Sequence, residues 1–399
     1  MSAKHLLSSF LFTLFVALSA SAQEAKTIYS DYDRGYRYLY YQQLDSAYLM
    51  FNRYIINADD TLNKGRAYLF MGEMQWNIAD LYGAQESLMG SIRTLDPAHK
   101  THREFLGYTY NILGNVSLDL KQYDEAIRFY NKAMPFFTGT DYLPEVMNGK
   151  ATALQKKGSY TSAIALYDSI LAMQPAGKML LARAIDNKAI AKWRADPRYP
   201  ALPELQLALR IREDSQYVQG LNASYAHLSD YYLLSGRDSA KWYANKMLET
   251  AKQNKNADDM LRAIDKLVLL NNDATQKQHW HTTYKKINDS LQLYRDTTRN
   301  RFALIRYDVQ KSKADNLVLK QHITRQRLIM AGLIALATLV ITGLLTWYNK
   351  RRKRTQRENE NAIRTARLKT SQKVHDVVAN GLYGIMNELE HSDNIEREP

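Results

Sequence analysis

The chain has 399 residues, 45% of them hydrophobic and 28 of them tyrosine, which allows two or three packed domains and excludes general disorder. It contains no cysteine, which excludes disulfides, thiolate zinc sites and cysteine nucleophiles. The formal net charge is +13, but Lys and Arg are spread along the chain without a recognition module, so no nucleic-acid partner is expected.

The N-terminus has the layout of a secretory signal peptide. Lys4 and His5 precede an apolar run from Leu6 to Leu18, and Ala20-Ser21-Ala22 offers a small-x-small cleavage site. The prediction is a signal peptide over 1–22, and an uncleaved anchor is the alternative. In both cases the following residues are expected outside the cytoplasm.

Alanines recur at spacings of 37 to 42 residues between about 23 and 275, at Ala47, Ala84, Ala126, Ala163, Ala201 and Ala240. Twelve residues earlier stand Gly35, Gly72, Gly114, Ala151, Ala189 and, in the sixth unit, Leu228. Four residues after the first five alanines stand Phe51, Leu88, Tyr130, Tyr167 and Leu205. Two helices approach closely only where one has little side chain, so the pattern indicates packed helix pairs.

This pattern resembles the tetratricopeptide repeat, most clearly over 111–133. The resemblance implies an all-α solenoid over 23–275, closed by a more degenerate helix pair that begins near Ala257. It also implies a concave face that binds a peptide or protein partner. Tyrosines such as Tyr36, Tyr40 and Tyr108 are expected either to line that face or to pack between helices.

Two histidine pairs are candidate metal ligands by residue type. His99 lies three residues before His102, and His279 and His281 flank Trp280. Neither pair has a third ligand at a clear spacing, so the expectation is surface histidines, with no metal and no cofactor in this chain.

The connector, 276–327, contains neither Pro nor Gly and is predicted to be one long helix. Apolar residues follow a heptad spacing and then continue after a one-residue slip, at Trp280, Tyr284, Ile287, Leu291, Tyr294, Thr298, Phe302, Ile305 and Val309. This seam is expected to pair with a second copy in a coiled coil, which implies a homodimer. Packing against the chain's own repeats is the alternative.

The segment from Leu328 to Trp347 holds twenty residues without a charge, enough for a helix to cross a bilayer. We predict a transmembrane helix over 328–348, with Trp347 and Tyr348 at the interface; a buried core helix is the alternative. The basic run 350–354 favours a cytoplasmic C-terminus. The expected topology is a single-pass protein of the bacterial inner membrane, with the repeats outside the cytoplasm.

The tail, 349–399, carries a His-Asp dipeptide, His375 and Asp376, on an apolar-faced helix. Val378, Leu382 and Ile385 follow the histidine by three, seven and ten residues. This pattern resembles the phosphoacceptor helix of sensor histidine kinases. The resemblance implies that His375 is the phosphoacceptor and that Asp376 acts as a general base or orients the imidazole.

The order of segments resembles a tetratricopeptide-repeat sensor histidine kinase of a bacterial two-component system, whose partner would be a response regulator. The sequence departs from that family because no ATP-binding domain follows Leu389. ATP and Mg²⁺ would belong to the absent kinase domain, so this chain is expected to be inactive alone. The alternative is a membrane-anchored repeat scaffold without phosphotransfer.

Overall fold

The computed structural model of the chain describes residues 31–175, 177–215, 218–233 and 235–393, which form helices and the turns between them. The predicted signal peptide lies outside these residues. The chain divides into two compact units, Met1–Lys313 and Ala314–Pro399, and each is described by itself.

The first unit is a series of helix pairs. The first helices of the pairs are α1 (31–40), α3 (Thr61–Asn77), α5 (Lys100–Asp119), α7 (Leu143–Lys157), α9 (Lys178–Ala195), α11 (Val218–Tyr232) and α13 (Ala257–Leu270). The second helices are α2 (Leu44–Asn57), α4 (Leu81–Thr94), α6 (Tyr123–Ala133), α8 (Tyr160–Ala172), α10 (Leu202–Asp214), α12 (Arg237–Gln253) and the start of α14 (Ala274–Asp393). A 3₁₀ turn, Met134–Phe136, follows α6.

The predicted packing within the pairs is confirmed. All six recurring alanines have no exposed surface. A Cβ atom built on Gly114 would lie 2.6 Å from Cε1 of Tyr130, and one built on Gly72 would lie 2.6 Å from Cγ of Leu88. The small residue of the first helix therefore faces the large residue of the second, which lets the two backbones approach.

The sixth pair inverts this arrangement. Leu228 stands where the earlier pairs carry Gly or Ala, and Ala244 stands where they carry Phe, Leu or Tyr. Both residues are fully buried in one apolar cluster. The volume shared by the two positions is thus kept while the large side chain moves to the other helix.

The turn inside each of the first four pairs uses a residue with positive φ, five positions before the buried alanine. These residues are Gln42, Ala79, Lys121 and Gly158, with φ of 59°, 58°, 60° and 88°. The backbone N–H of the next residue then bonds a carbonyl in the preceding helix, as Asp80 does with Gln75 at 2.8 Å. This is the left-handed ending that satisfies the last carbonyls of a helix.

The docking segment, which we define as residues 274–313 of α14, packs against the chain's own repeats. Trp280, Tyr284 and Ile287 contact the apolar cluster of the last three pairs. Phe302 is fully buried and stacks on Tyr48 of α2, with ring centroids 4.0 Å apart and an interplanar angle of 5°. The repeats of the same chain therefore cover the heptad seam.

The slip in the seam occurs between Leu291 and Thr298. The side chain of Arg295 is only 15% exposed and pairs with Asp258 of α13 at 2.7 Å. Tyr294, which the sequence pattern places in the seam, is 53% exposed. An arginine thus takes the buried place because a carboxylate of the neighbouring helix lies opposite it.

The docking segment connects the last pair with the first. Arg295 pairs with Asp258, and six residues later Arg301 pairs with Asp45 of α2 at 2.8 Å. Six helical residues span only about 9 Å, so one short stretch of α14 contacts both ends of the repeat series.

In the second unit, residues 314–393 of α14 form the tail helix. Its apolar side chains are exposed within the described residues. Among the described helices, α14 meets the length and composition expected of a membrane span, with an 18-residue window of mean hydropathy 2.5, none of it buried.

Candidate functional site

The first helices of the pairs form the closely packed inner face of the repeats. Neighbouring first helices contact each other along the series, from α3 to α5, α5 to α7 and α7 to α9. In a solenoid, the helices that approach most closely lie on the concave side, where such proteins present an extended surface.

Polar side chains on this face bond to each other across successive pairs. Arg183 of α9 donates through Nη1 to Oε2 of Glu145 on α7, at 2.7 Å. One turn further along both helices, Nδ2 of Asn187 donates to Oδ1 of Asn148, at 3.4 Å. Such groups can exchange partners with the amides and carboxylates of a bound peptide.

Aromatic residues and arginine occupy the same face at the first pairs. The guanidinium of Arg66 on α3 lies between the rings of Tyr32 and Phe105, 5.4 Å and 4.8 Å from their centroids. Tyr36 of α1 contacts Phe70 with ring centroids 5.8 Å apart. The concave face is therefore aromatic and basic at its N-terminal end.

Some of the tyrosines pack between helices and others lie on the surface, so both predicted roles occur. Tyr48, Tyr54, Tyr130 and Tyr167 are the largest fully buried side chains, and they pack between helices. Tyr36, Tyr40 and Tyr41 are exposed. Packing and surface roles thus coexist, because the helical period sends successive tyrosines to different sides.

A buried ionic cluster joins α9, α10 and α11. Asp186 accepts from Nη1 of Arg212 at 2.5 Å, and its other oxygen lies 3.0 Å from Nδ1 of His227. Arg212 also donates to the hydroxyl of Ser224. Burial by itself raises the pKa of Asp186, but His227 and Arg212 outweigh it, so this pKa lies below its ordinary value.

Sequence analysis did not find this cluster, since Asp186 lies 26 residues from Arg212 and 41 from His227. A signal existed, because 41 residues is close to one repeat. Polar residues about one repeat apart on successive first helices indicate contact between those helices.

The two predicted tail residues lie side by side on the tail helix. Nδ1 of His375 is 4.0 Å from Oδ1 of Asp376, and the side chains are 83% and 75% exposed. Val378, Leu382 and Ile385 are also exposed. In the described residues, the apolar face of the proposed phosphoacceptor is therefore uncovered.

The histidine pairs have local contacts. Nδ1 of His102 accepts from the backbone N–H of Asp96 at 3.0 Å, and its ring stacks on His99 at 5.0 Å. His102 is buried, unlike the predicted surface histidine. His279 contacts Trp280. Among the described residues, no group of three or more potential ligands could hold a metal ion.

Comparison with solved structures supports the fold. The chain is similar to aspartyl phosphate phosphatase F from Bacillus subtilis, with a TM-score of 0.53 and 16% identity over 73% of this chain and 75% of that one. It is also similar to a Rap protein complexed with competence and sporulation factor, with a TM-score of 0.48 and 15% identity over 74% and 99% of the two chains.

A tetratricopeptide-repeat signal-transduction ATPase with numerous domains from Pyrococcus horikoshii matches with a TM-score of 0.45 and 13% identity, over 71% of this chain and 47% of that one. No protein family matches the sequence, and no curated protein does. The described residues are all-helical and contain a tetratricopeptide-like repeat solenoid, and the match with a TM-score of 0.53 agrees with this fold.

Proposed function

We propose that this chain is a single-pass receptor of the bacterial inner membrane. Its repeats bind a peptide or protein outside the cytoplasm, and α14 transmits the resulting conformational change to a cytoplasmic tail. The apolar segment of α14, the basic residues that follow it and the leader-like N-terminus support this topology. The polar and aromatic concave face supports the partner class.

The observation that best supports this proposal is the docking of α14 on the repeats. Phe302 is buried against Tyr48, and Arg306 pairs with Glu86 of α4 at 3.2 Å. A partner that changes the curvature of the repeats must alter these contacts, because the docking segment touches both the first and the last pair. The same helix contains the apolar segment, which gives binding a route towards the tail.

The finer proposal concerns phosphotransfer. The exposed imidazole of His375 would accept a phosphoryl group from ATP held by a separate kinase domain, leaving ADP, and Asp376 would take the proton or orient the ring. ATP and Mg²⁺ would be bound by that domain, and a response regulator would receive the phosphoryl group. A second copy of the chain would cover the apolar face of the tail helix in a homodimer.

Topology can be tested with single cysteines, because the chain has none. Ser169→Cys places a thiol on the exposed side of α8, and Ser371→Cys places one on the tail helix. In spheroplasts, a membrane-impermeant maleimide should label Ser169→Cys, and it should label Ser371→Cys only after lysis. Labelling of Ser371→Cys in intact spheroplasts would overturn the proposed orientation.

Phosphotransfer is tested by incubating the full chain in detergent with histidine-kinase catalytic domains and labelled ATP. Acid-labile label should appear, should be absent from His375→Gln and should persist in His322→Gln, a control at another exposed histidine of α14. Label that persists in His375→Gln, or no label with any domain, would leave the membrane-anchored scaffold as the function.

A further inference from the structure

A dense block of positive charge follows the apolar segment of α14. We call residues 350–354 the basic collar; its members are Lys350, Arg351, Arg352, Lys353 and Arg354. All of these side chains are exposed in the described part of the second unit. Among the described residues, only Arg354 pairs with a carboxylate, that of Glu358 at 3.1 Å. The other cations of the collar therefore have no counter-charge within the described chain.

The depth of the collar follows from its distance to the apolar segment, whose predicted end is Tyr348. A helix rises about 1.5 Å per residue, so the collar begins about 3 Å beyond Tyr348 and ends about 9 Å beyond it. The headgroup layer of a bilayer extends about 5 to 7 Å from the hydrocarbon core. If the apolar segment fills the hydrocarbon core, the collar lies at the level of the lipid phosphates.

The contact between Arg351 and Trp347 agrees with this depth. The guanidinium of Arg351 lies over the indole ring, 5.4 Å from its centroid. Tryptophan at the end of an apolar segment prefers the headgroup level, where its ring is half in lipid and half in water. The cation–π contact therefore holds the guanidinium at that level.

The directions of the five side chains distinguish between partner classes. Each helical residue is turned by about 100° from the one before it, so five consecutive residues point to all sides of the helix. A docked protein or a nucleic acid contacts one side of a helix, whereas lipid headgroups surround a helix that crosses the bilayer. Lipid is thus the partner that can contact all five cations at once.

We propose that the basic collar binds the phosphate groups of anionic phospholipids and enriches these lipids around α14. The arginines donate to phosphate oxygens through paired N–H groups, and the lysines act as point charges. Zwitterionic lipids carry a compensating cation and are attracted less. This inference rests on the proposed membrane span and names the class of lipid that its cytoplasmic end recognises.

The test uses the full chain reconstituted into phosphatidylcholine vesicles that contain a minority of phosphatidylglycerol. In one preparation the phosphatidylglycerol carries bromine on its acyl chains, and in the other an equal amount of the phosphatidylcholine carries it. Bromine quenches the fluorescence of a nearby indole, so quenching of Trp347 reports the local concentration of each lipid. The same measurement on Trp347→Phe gives the background from the other tryptophans.

Brominated phosphatidylglycerol should quench Trp347 as if its local concentration were at least about threefold above that of the bulk bilayer. Equal quenching by the two lipids would overturn the proposed lipid binding and leave the membrane span intact. No quenching by either lipid would overturn the span, and the lipid binding with it. The failure of this inference is therefore distinguishable from the failure of the proposed function.

A triple variant assigns the enrichment to the collar. Arg351→Gln, Arg352→Gln and Arg354→Gln combined should reduce the enrichment of phosphatidylglycerol by at least about twofold, because three of the five cations are lost. Enrichment that persists undiminished in this variant contradicts the assignment.

The matched control removes the same charge further along the tail helix, with Arg364→Gln, Arg367→Gln and Lys369→Gln combined. These residues lie about 24 to 32 Å beyond the end of the predicted span, several times the Debye length of about 8 Å at physiological ionic strength. The control should keep the enrichment. An equal loss in both triple variants would mean that the net charge of the tail, and not the collar, attracts the lipid.

Salt provides a measurement on the unmodified chain, which remains informative if the collar variant fails to insert. The Debye length shortens from about 30 Å at 0.01 M salt to about 3 Å at 1 M, so the enrichment should fall by at least about half over this range. Enrichment that does not depend on salt would overturn the ionic contact. Enrichment abolished by an equimolar short single-stranded DNA at about 0.15 M salt would instead assign the collar to nucleic acid.

Discussion

The docking segment and the tail helix belong to one α-helix and have similar sequence periodicity. The apolar face of the docking segment is buried, whereas that of the tail helix is exposed. In the docking segment, Phe302 is buried against the first repeats, and Val309 is also buried. In the tail helix, Val378 and Ile385 have the same seven-residue spacing and are exposed. A periodic pattern therefore defines a face, but the elements that reach that face decide whether it is covered.

The two His–Asp contacts show the same contrast. The pair of His227 and Asp186 is assembled across helices, and its carboxylate is fully buried beside Arg212. The pair of His375 and Asp376 is adjacent in sequence and exposed on both sides. The first pair suits a structural role, whereas the second leaves an imidazole open to another protein.

The largest expected effect is at the docking segment. Phe302→Ala should lower the free energy of unfolding of the repeats by about 3 to 5 kcal/mol, because it removes a fully buried ring that stacks on Tyr48. Tyr307→Ala, at an exposed aromatic of the same segment, should change it by at most about 0.5 kcal/mol. Urea unfolding followed by tryptophan fluorescence measures both, and equal effects would mean that docking does not stabilise the repeats.

The next largest loss of stability is expected at the buried ionic pair of Asp186 and Arg212. Asp186→Asn should destabilise the chain by about 3 kcal/mol at pH 7, because it leaves the guanidinium of Arg212 buried without a counter-charge. Asp376→Asn, the matched change in the exposed pair, should cost no more than about 0.5 kcal/mol. Urea midpoints of the two variants against the parent chain test this difference.

The pH dependence of the Asp186 effect follows from its lowered pKa. A carboxylate with a lowered folded-state pKa contributes its full stability above the ordinary Asp pKa of about 4, and the contribution fades as pH falls through the folded-state value. The gap in unfolding free energy between the parent chain and Asp186→Asn should narrow as the pH falls below about 4. A gap that stays constant or widens below about pH 4 would contradict the lowered pKa.

Glycine-to-alanine substitutions should have opposite effects on stability in the repeats and in the tail helix. Gly114→Ala should destabilise the repeats by about 1 to 3 kcal/mol, since its Cβ would lie 2.6 Å from the ring of Tyr130. Gly381→Ala meets no atom within 4 Å and should stabilise the tail helix by about 0.5 to 1 kcal/mol. Hydrogen exchange of local amides reports each change. A loss of protection in Gly381→Ala would instead indicate a second copy packed at that position.

The smallest expected effect is a gain at a turn. Lys121 has φ of 60°, which an L-residue adopts at a cost and glycine adopts freely. Lys121→Gly should stabilise the repeats by about 0.5 to 1 kcal/mol, and Gly158→Ala, at the equivalent turn, should destabilise them by about 1 kcal/mol. Urea midpoints of the two variants should shift in opposite directions, and a shift in the same direction would contradict the turn argument.

Local packing was predictable where the repeat pattern is regular. The six buried alanines and the glycines facing large side chains follow from spacing alone. The inversion at Leu228 and Ala244 was not predictable, because either order fills the same volume. The positive φ of Ala79 and Lys121 was also missed, since neither residue type indicates a left-handed turn.

For the candidate sites too, the sequence indicated some residues and not others. His375 and Asp376 were found because they are adjacent in sequence. Arg66 and Tyr32 lie 34 residues apart, and only the stacking of α1 against α3 brings the guanidinium within 5.4 Å of the ring centroid. Sequence spacing of about one repeat is the signal that would have indicated their contact.

By itself, the sequence determined which side chains share a helical face, because the 3.6-residue period and the volumes of glycine, alanine and tyrosine act locally. Only the tertiary structure decided what lies opposite each face. The contact of Arg301 with Asp45 spans 256 residues and depends on the stacking of every pair between them. A face that a second copy could have covered is covered by the chain's own first repeat, because the repeat series brings that repeat beside the docking segment.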